Sequence, residues 1–115
     1  MHIGAISLLV PSYEEGIAFF VETLGFDLIE DTAQPGKRWV VVAPSGGGTA
    51  LVFAQPTTPA QRSALGAQTG DRVGFFLHVS SFAASYEAFL AKGVRFREKP
   101  RSEPYGMVAV FEDPW

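Results

Sequence analysis

Apolar and polar positions fall along this chain in a pattern laid down twice. Residues 3–10 are mostly apolar, with β-branched Ile3, Ile6 and Val10, and predict a strand. Ser12 with Glu15 three residues on makes a capping box that opens a helix. Tyr13, Ile17, Phe20, Val21 and Leu24 then recur at helical spacing and predict one buried stripe. Gly25 is placed to end that helix in the left-handed conformation. Three strands follow at 26–31, 38–43 and 49–54. Pro35-Gly36 breaks the first from the second, and Pro44 with Gly46-Gly47-Gly48 breaks the second from the third. The first half therefore reads β-α-β-β-β.

About seventy residues on, the pattern restarts. A strand is predicted at 72–79 and a helix over 82–92. The helix stripe of Phe82, Tyr86, Phe89 and Leu90 matches Tyr13, Ile17, Phe20 and Val21 position for position. Gly93 ends it. Strands at 94–97 and 105–112 complete the half, and Val110-Phe111-Glu112-Asp113-Pro114 aligns with Val40-Val41-Val42-Ala43-Pro44. Between the halves, Pro56, Pro59, Gly66 and Gly70 mark a linker with a short helix at 60–65. One domain of two modules is expected: 1–55, a linker at 56–71, and 72–115. The counterpart of strand 49–54 would begin past Pro114. The favoured expectation is that this strand lies beyond Trp115; the alternative is that it is missing and leaves a sheet edge exposed.

Composition narrows the function. With 47% apolar and 18% charged residues over 115 positions, the chain folds around a core rather than staying disordered. A net charge of −3 disfavours nucleic acid and anionic membranes as partners. No apolar window is long enough for a membrane helix. There is no cysteine, which removes disulfides and thiolate chemistry. No secretory leader pattern is visible, so a cytoplasmic location is expected.

The segments Val10-Pro11-Ser12-Tyr13, Ala18-Phe19-Phe20, Leu24-Gly25-Phe26, Lys92-Gly93-Val94 and Phe111-Glu112-Asp113-Pro114 occur in this order over nearly the whole chain. In them the chain resembles the glyoxalase/bleomycin-resistance/dioxygenase superfamily, the vicinal oxygen chelate proteins. The resemblance implies an α+β fold. Two β-α-β-β-β modules place curved mixed sheets around a cavity, often in a homodimer. Free sheet edges also favour a homodimer. Typical members hold a divalent metal through His and Glu ligands, as a Lewis acid. The first ligand position falls on Ala5 and its pseudo-symmetric partner on Gly74. The window 50–53 has no carboxylate, and the last position would lie past Trp115. Alanine and glycine offer no donor atom, whereas a catalytic metal takes about three protein ligands. The expectation is a cavity without metal or other cofactor that binds a small organic molecule. The alternatives are a divalent-metal-dependent lyase or dioxygenase with ligands displaced to residues such as His78 or Glu112, and a subunit whose cavity is filled by side chains.

Strand parity selects candidate contacts within that implied cavity. On strand 72–79, Phe75, Leu77 and Val79 face the helix, while Gly74, Phe76 and His78 face the cavity. The equivalent set on the first strand is Ala5, Ser7 and Leu9. His78 is either a hydrogen-bonding or acid–base group or an ordinary strand histidine. Trp39 is either a stacking platform or core. Alignment of the halves puts it on one face with Tyr105, Met107, Ala109 and Phe111. Arg38 and Glu112 share the other face, as a potential ion pair. Which face lines the cavity stays open. Tyr105 lies between Pro104 and Gly106, in or beside a turn. The candidate ligand contacts are thus His78, Phe76, Trp39, Tyr105 and Ser7. Other features have plainer readings: His2 as a frayed end, the glycine triplet as a hairpin turn, Glu14-Glu15 as a helix start, and Arg95, Arg97, Lys99 and Arg101 as a solvated edge.

Overall fold

A computed structural model describes residues 1–115 as two compact units, Met1–Gly74 with Trp115, and Phe75–Pro114. The first contains β1 (Ala5–Leu9), α1 (Tyr13–Ile17) continuing as a π-helix (Ala18–Thr23), β2 (Asp27–Gln34), β3 (Lys37–Ala43), β4 (Ala50–Ala54) and α2 (Pro59–Ala64). Its four strands form one open mixed sheet in the order β1-β4-β3-β2. β1 runs parallel to β4, and the other pairs are antiparallel. The fold is α+β, with the expected β-α-β-β-β order in this unit.

The capping box forms with a variation. Ser12 Oγ accepts from the Glu15 N–H at 3.1 Å and donates to Glu15 Oε2 at 2.9 Å. The glutamate thus takes the serine hydroxyl rather than its backbone N–H. The π-helix was not predicted. It carries a bond from the Leu24 N–H to the Phe19 carbonyl at 2.9 Å, one residue wider than an α-turn. That widening turns Phe19 inward beside Phe20, so Phe19 joins the core while Val21 is half-buried. Gly25, at φ +83°, ends the helix as expected.

The core lies between this helix and one sheet face. Val10, Val40 and Val42 are fully buried, and Leu8, Leu51 and Phe53 nearly so. The Phe20 ring stands 5.6 Å from Phe53 and 5.1 Å from Phe19. Gly16 lets the helix approach this closely, because a Cβ there would sit 2.8 Å from the Phe53 ring. In the linker, Thr58 caps α2 by accepting from the Gln61 N–H at 3.1 Å, and Pro59 takes the first helical position. Gln68 reaches back to β1: the Leu9 N–H donates to its Oε1 at 2.7 Å, and its Nε2 donates to the Leu9 carbonyl at 3.1 Å. The amide fills, at one residue, the place of a neighbouring strand.

The second unit contains α3 (Phe82–Ala91), β5 (Arg95–Phe96), β6 (Arg101–Glu103), β7 (Gly106–Val108) and β8 (Phe111–Glu112). β5 pairs with β8, and β6 with β7, both antiparallel. Phe82, Tyr86, Phe96, Phe111 and Phe89 follow one another as a chain of ring contacts 4.6–5.9 Å apart. Val94 is the buried aliphatic residue of this unit.

Four expectations are corrected here. Residues 72–79 join no ladder. A strand needs a partner to exchange backbone hydrogen bonds with, and no described residue pairs with this segment. The strand expected over 105–112 is divided at Ala109-Val110. Its first part folds back on β6, a hairpin the basic run had concealed. The strand at 94–97 shortens to Arg95–Phe96. Leu90 is 48% exposed, since the ring chain uses positions 82, 86 and 89 and leaves it outside. The predicted turn at Tyr105 is present. No helix is long and apolar enough to cross a membrane.

Candidate ligand-binding site

Because the helix takes Leu8, Val10, Val40, Val42, Leu51 and Phe53, alternation turns the intervening residues to the other, inner sheet face. These are Ala5, Ser7 and Leu9 on β1, Ala50, Val52 and Ala54 on β4, and Trp39, Val41 and Ala43 on β3. Registry ties them into rows. Ser7 opposes Val52, Val52 opposes Val41, and Val41 opposes Glu30. In the next row Trp39 opposes Thr32. Ser7 and Trp39 therefore share the sheet face turned away from the helix. Trp39 is 41% exposed there.

Glu30 and Thr32 were not among the sequence candidates. They face inward because the β2–β3 register shifts between Leu28 and Glu30. Ile29 is the extra residue of this bulge. A single inserted residue swaps the faces of everything after it. Without it, Ile29 and Asp31 would face inward instead. Thr32 Oγ1 donates to Glu30 Oε2 at 3.0 Å. The bulge leaves no mark in a pattern of apolar and polar letters, so parity along β2 was not readable.

The same bulge sends Asp31 to the outer face, beside Arg38. Arg38 Nε and Nη2 donate to the two Asp31 oxygens, both at 2.8 Å, and Nη1 donates to Glu14 Oε1 at 2.6 Å. The guanidinium carbon lies 5.4 Å from the Tyr13 ring centroid. The Arg38 bonds hold the Asp31 carboxyl below its ordinary pKa. Glu14 is lowered by its own backbone N–H first and by Arg38 second. Arg38 is raised by Asp31 and then Glu14. A surface cavity of about 470 Å³ adjoins this cluster, lined by Tyr13, Glu14, Gly36, Lys37, Arg38, Gln55 and Thr57. The expected Arg38–Glu112 pair does not form. Arg38 is held within the first unit, and Glu112 stands 3.8 Å from Arg95 in the second.

Phe76, His78 and Tyr105 belong to the second unit. Phe76 is 81% exposed and Tyr105 78% exposed, and His78 is also exposed. Tyr105 is at the β6–β7 turn. The grouping of Trp39 with Phe111 through the repeat fails. Phe111 packs on Phe89 of α3, whereas its counterpart Val41 faces away from the helix. The break at Ala109-Val110 shifts the alternation between the two halves.

At the positions where the resemblance places metal ligands stand Ala5, Gly74 and residues 50–53, none with a donor side chain. Nowhere do three His, Asp or Glu side chains converge. His78 and Glu112 assemble no displaced site either. The residues present do not fit a divalent metal of the usual kind.

Residues 2–115 match the Glyoxalase/Bleomycin resistance protein/Dioxygenase superfamily. The chain belongs to this superfamily. An uncharacterised protein of Shewanella frigidimarina (strain NCIMB 400) is 45% identical over 111 residues, covering 94% of this chain and 82% of that protein. Among solved structures, TnmS3, an antibiotic binding protein from Streptomyces sp. CB03234, is 32% identical with a TM-score of 0.79, over 99% of this chain and 88% of that one. A glyoxalase/bleomycin resistance protein from the same Streptomyces is 33% identical with a TM-score of 0.73, over 96% and 90%. The superfamily match fits the β-α-β-β-β unit.

Proposed function

We propose that this superfamily member binds a small organic molecule on the inner face of the first unit's sheet, without a metal. Trp39 carries the reading. It is a tryptophan 41% exposed on a face otherwise lined mainly by small and aliphatic side chains. Such a ring offers a flat apolar surface with one polar edge, suited to stacking on a planar ligand. Ser7 supplies a hydroxyl one row along and two strands across from it. Likeness to an antibiotic binding protein supports the same class of ligand. Phe76, His78 and Tyr105 are the second unit's candidates for ligand contact. A homodimer is part of the proposal, because β1 and β2 are both edge strands.

Thermal-shift screening of purified protein against aromatic small molecules and antibiotics tests this directly. The expected result is a set of stabilising ligands that quench tryptophan fluorescence and lose most of their effect in Trp39→Ala. A screen without stabilising ligands, on protein that carries stoichiometric metal, would overturn it.

A further inference from the structure

On the inner face the carboxylate nearest Trp39 is Glu30, and no cation is paired with it. Glu30 takes part in none of the chain's ion pairs. One oxygen accepts from Thr32, and the other accepts from no group of the chain. On the outer face the contrast is complete: Asp31, the next residue, is met by both arms of the Arg38 guanidinium. Bulges are frequent beside binding sites because they re-aim a side chain. This one turns the Glu30 carboxylate away from Arg38 to the face of Trp39, where Lys37 also lies by alternation but forms no ion pair with it.

Glu30 also lies next to Trp39 on that face. Its cross-strand partner is Val41, two residues from Trp39, and Thr32 opposes Trp39 directly. Diagonal neighbours on adjacent strands are about 7–8 Å apart at Cα, within reach of long side chains. A cation held there would meet the Trp39 ring and the Glu30 carboxylate together. Each attraction strengthens where apolar neighbours thin the water. Ala43, Val41, Val52 and Ala50 supply such neighbours.

We infer that the ligand of this face is a planar aromatic molecule bearing a positive charge, with Trp39 stacking on the ring system and Glu30 reading the charge. Thr32 is a positioning residue that holds Glu30 by one oxygen and leaves the other for the ligand. The inference rests on the proposed small-molecule site and adds the chemical class of its occupant.

Equilibrium dialysis of full-length protein with N-methylacridinium, a permanent cation, and acridine, its neutral analogue near pH 7.5, tests it. The cation is expected to bind about tenfold more tightly than acridine. Glu30→Gln keeps an acceptor for Thr32 and should reduce that preference to about twofold or less, leaving acridine binding unchanged. Trp39→Ala should weaken both probes. Thermal melts of each variant confirm that it is folded. Equal binding of the two probes, or a preference that survives Glu30→Gln, overturns the charge reading while the small-molecule site stands. If neither probe binds, the aromatic-cation class is wrong, and the screen for other ligands then decides separately whether the site itself exists.

Discussion

The two halves share one sequence pattern and differ in how much of it becomes core. Ten of the eleven buried apolar residues lie in the first unit, and Val94 alone lies in the second. Both have an amphipathic helix with aromatic rings. The difference is what the helix meets. In the first unit it rests on a four-stranded sheet whose fourth strand, β4, contributes Leu51 and Phe53. In the second it meets the two-stranded β5–β8 ladder, where Tyr86 packs on Phe96 and Phe89 on Phe111. A helix stripe is therefore only half of an instruction. It becomes a core when a sheet wide enough to cover it is present, since burial rather than propensity supplies most helical stability in proteins.

The sharpest way to break this contrast is to remove one ring from each half. Phe53→Ala should cost about 3–5 kcal/mol, the usual range for a buried ring. Phe89→Ala, from a half-buried position, should cost about half as much. Amide hydrogen exchange reports each unit separately, and equal losses of protection would show that the second half is as well packed as the first. The helix caps give a smaller version of the comparison. Ser12 bonds its helix at 3.1 Å and also engages Glu15, while Ser81 bonds at 3.4 Å alone. Ser12→Ala should cost about 1 kcal/mol and Ser81→Ala about 0.5 kcal/mol, read from urea melts.

The smallest effect belongs to the charge cluster, which exists only in the first unit. Asp31 and Glu14 have lowered folded pKa values, so their contribution to stability is fully present above the unfolded value near pH 4. It is lost as pH falls through the folded values. Arg38→Gln should raise both carboxyl pKa values toward ordinary ones and flatten that part of the acid limb. Carboxyl NMR titration of Asp31 checks it. An unmoved Asp31 would mean the bidentate contact does not persist in solution.

Much of the first unit was legible because its letters obey two periods. Alternation fixed β1 and β3, a 3.6-residue stripe with Ser12 and Gly25 fixed the helix, and Pro-Gly and the glycine triplet fixed the turns. What escaped were departures from those periods. The π-turn adds a residue to a helical turn and brings in Phe19. The bulge adds a residue to β2 and brings in Glu30. Both are insertions of one residue. Residues 72–79 escaped for another reason. Their alternation is that of a strand, yet a strand is a property of two segments. At the candidate site, parity put Ser7 with Ala5 and Leu9 on one face, the face of Trp39 stayed open until the strand register was known, and Glu30 and Thr32 were hidden by the irregularity of β2.

Gln68 carries one more consequence. Its carboxamide has the donor and acceptor of a peptide group, at nearly the same spacing, and it spends both on Leu9. The linker thereby acts as a stopper on the rim of the first sheet. Any strand that adds to β1 along its whole length, from this chain or another copy, must first evict that side chain. Growth of the sheet at β1 is thus a competition rather than a simple addition, and a glutamine in a segment without strands sets its threshold.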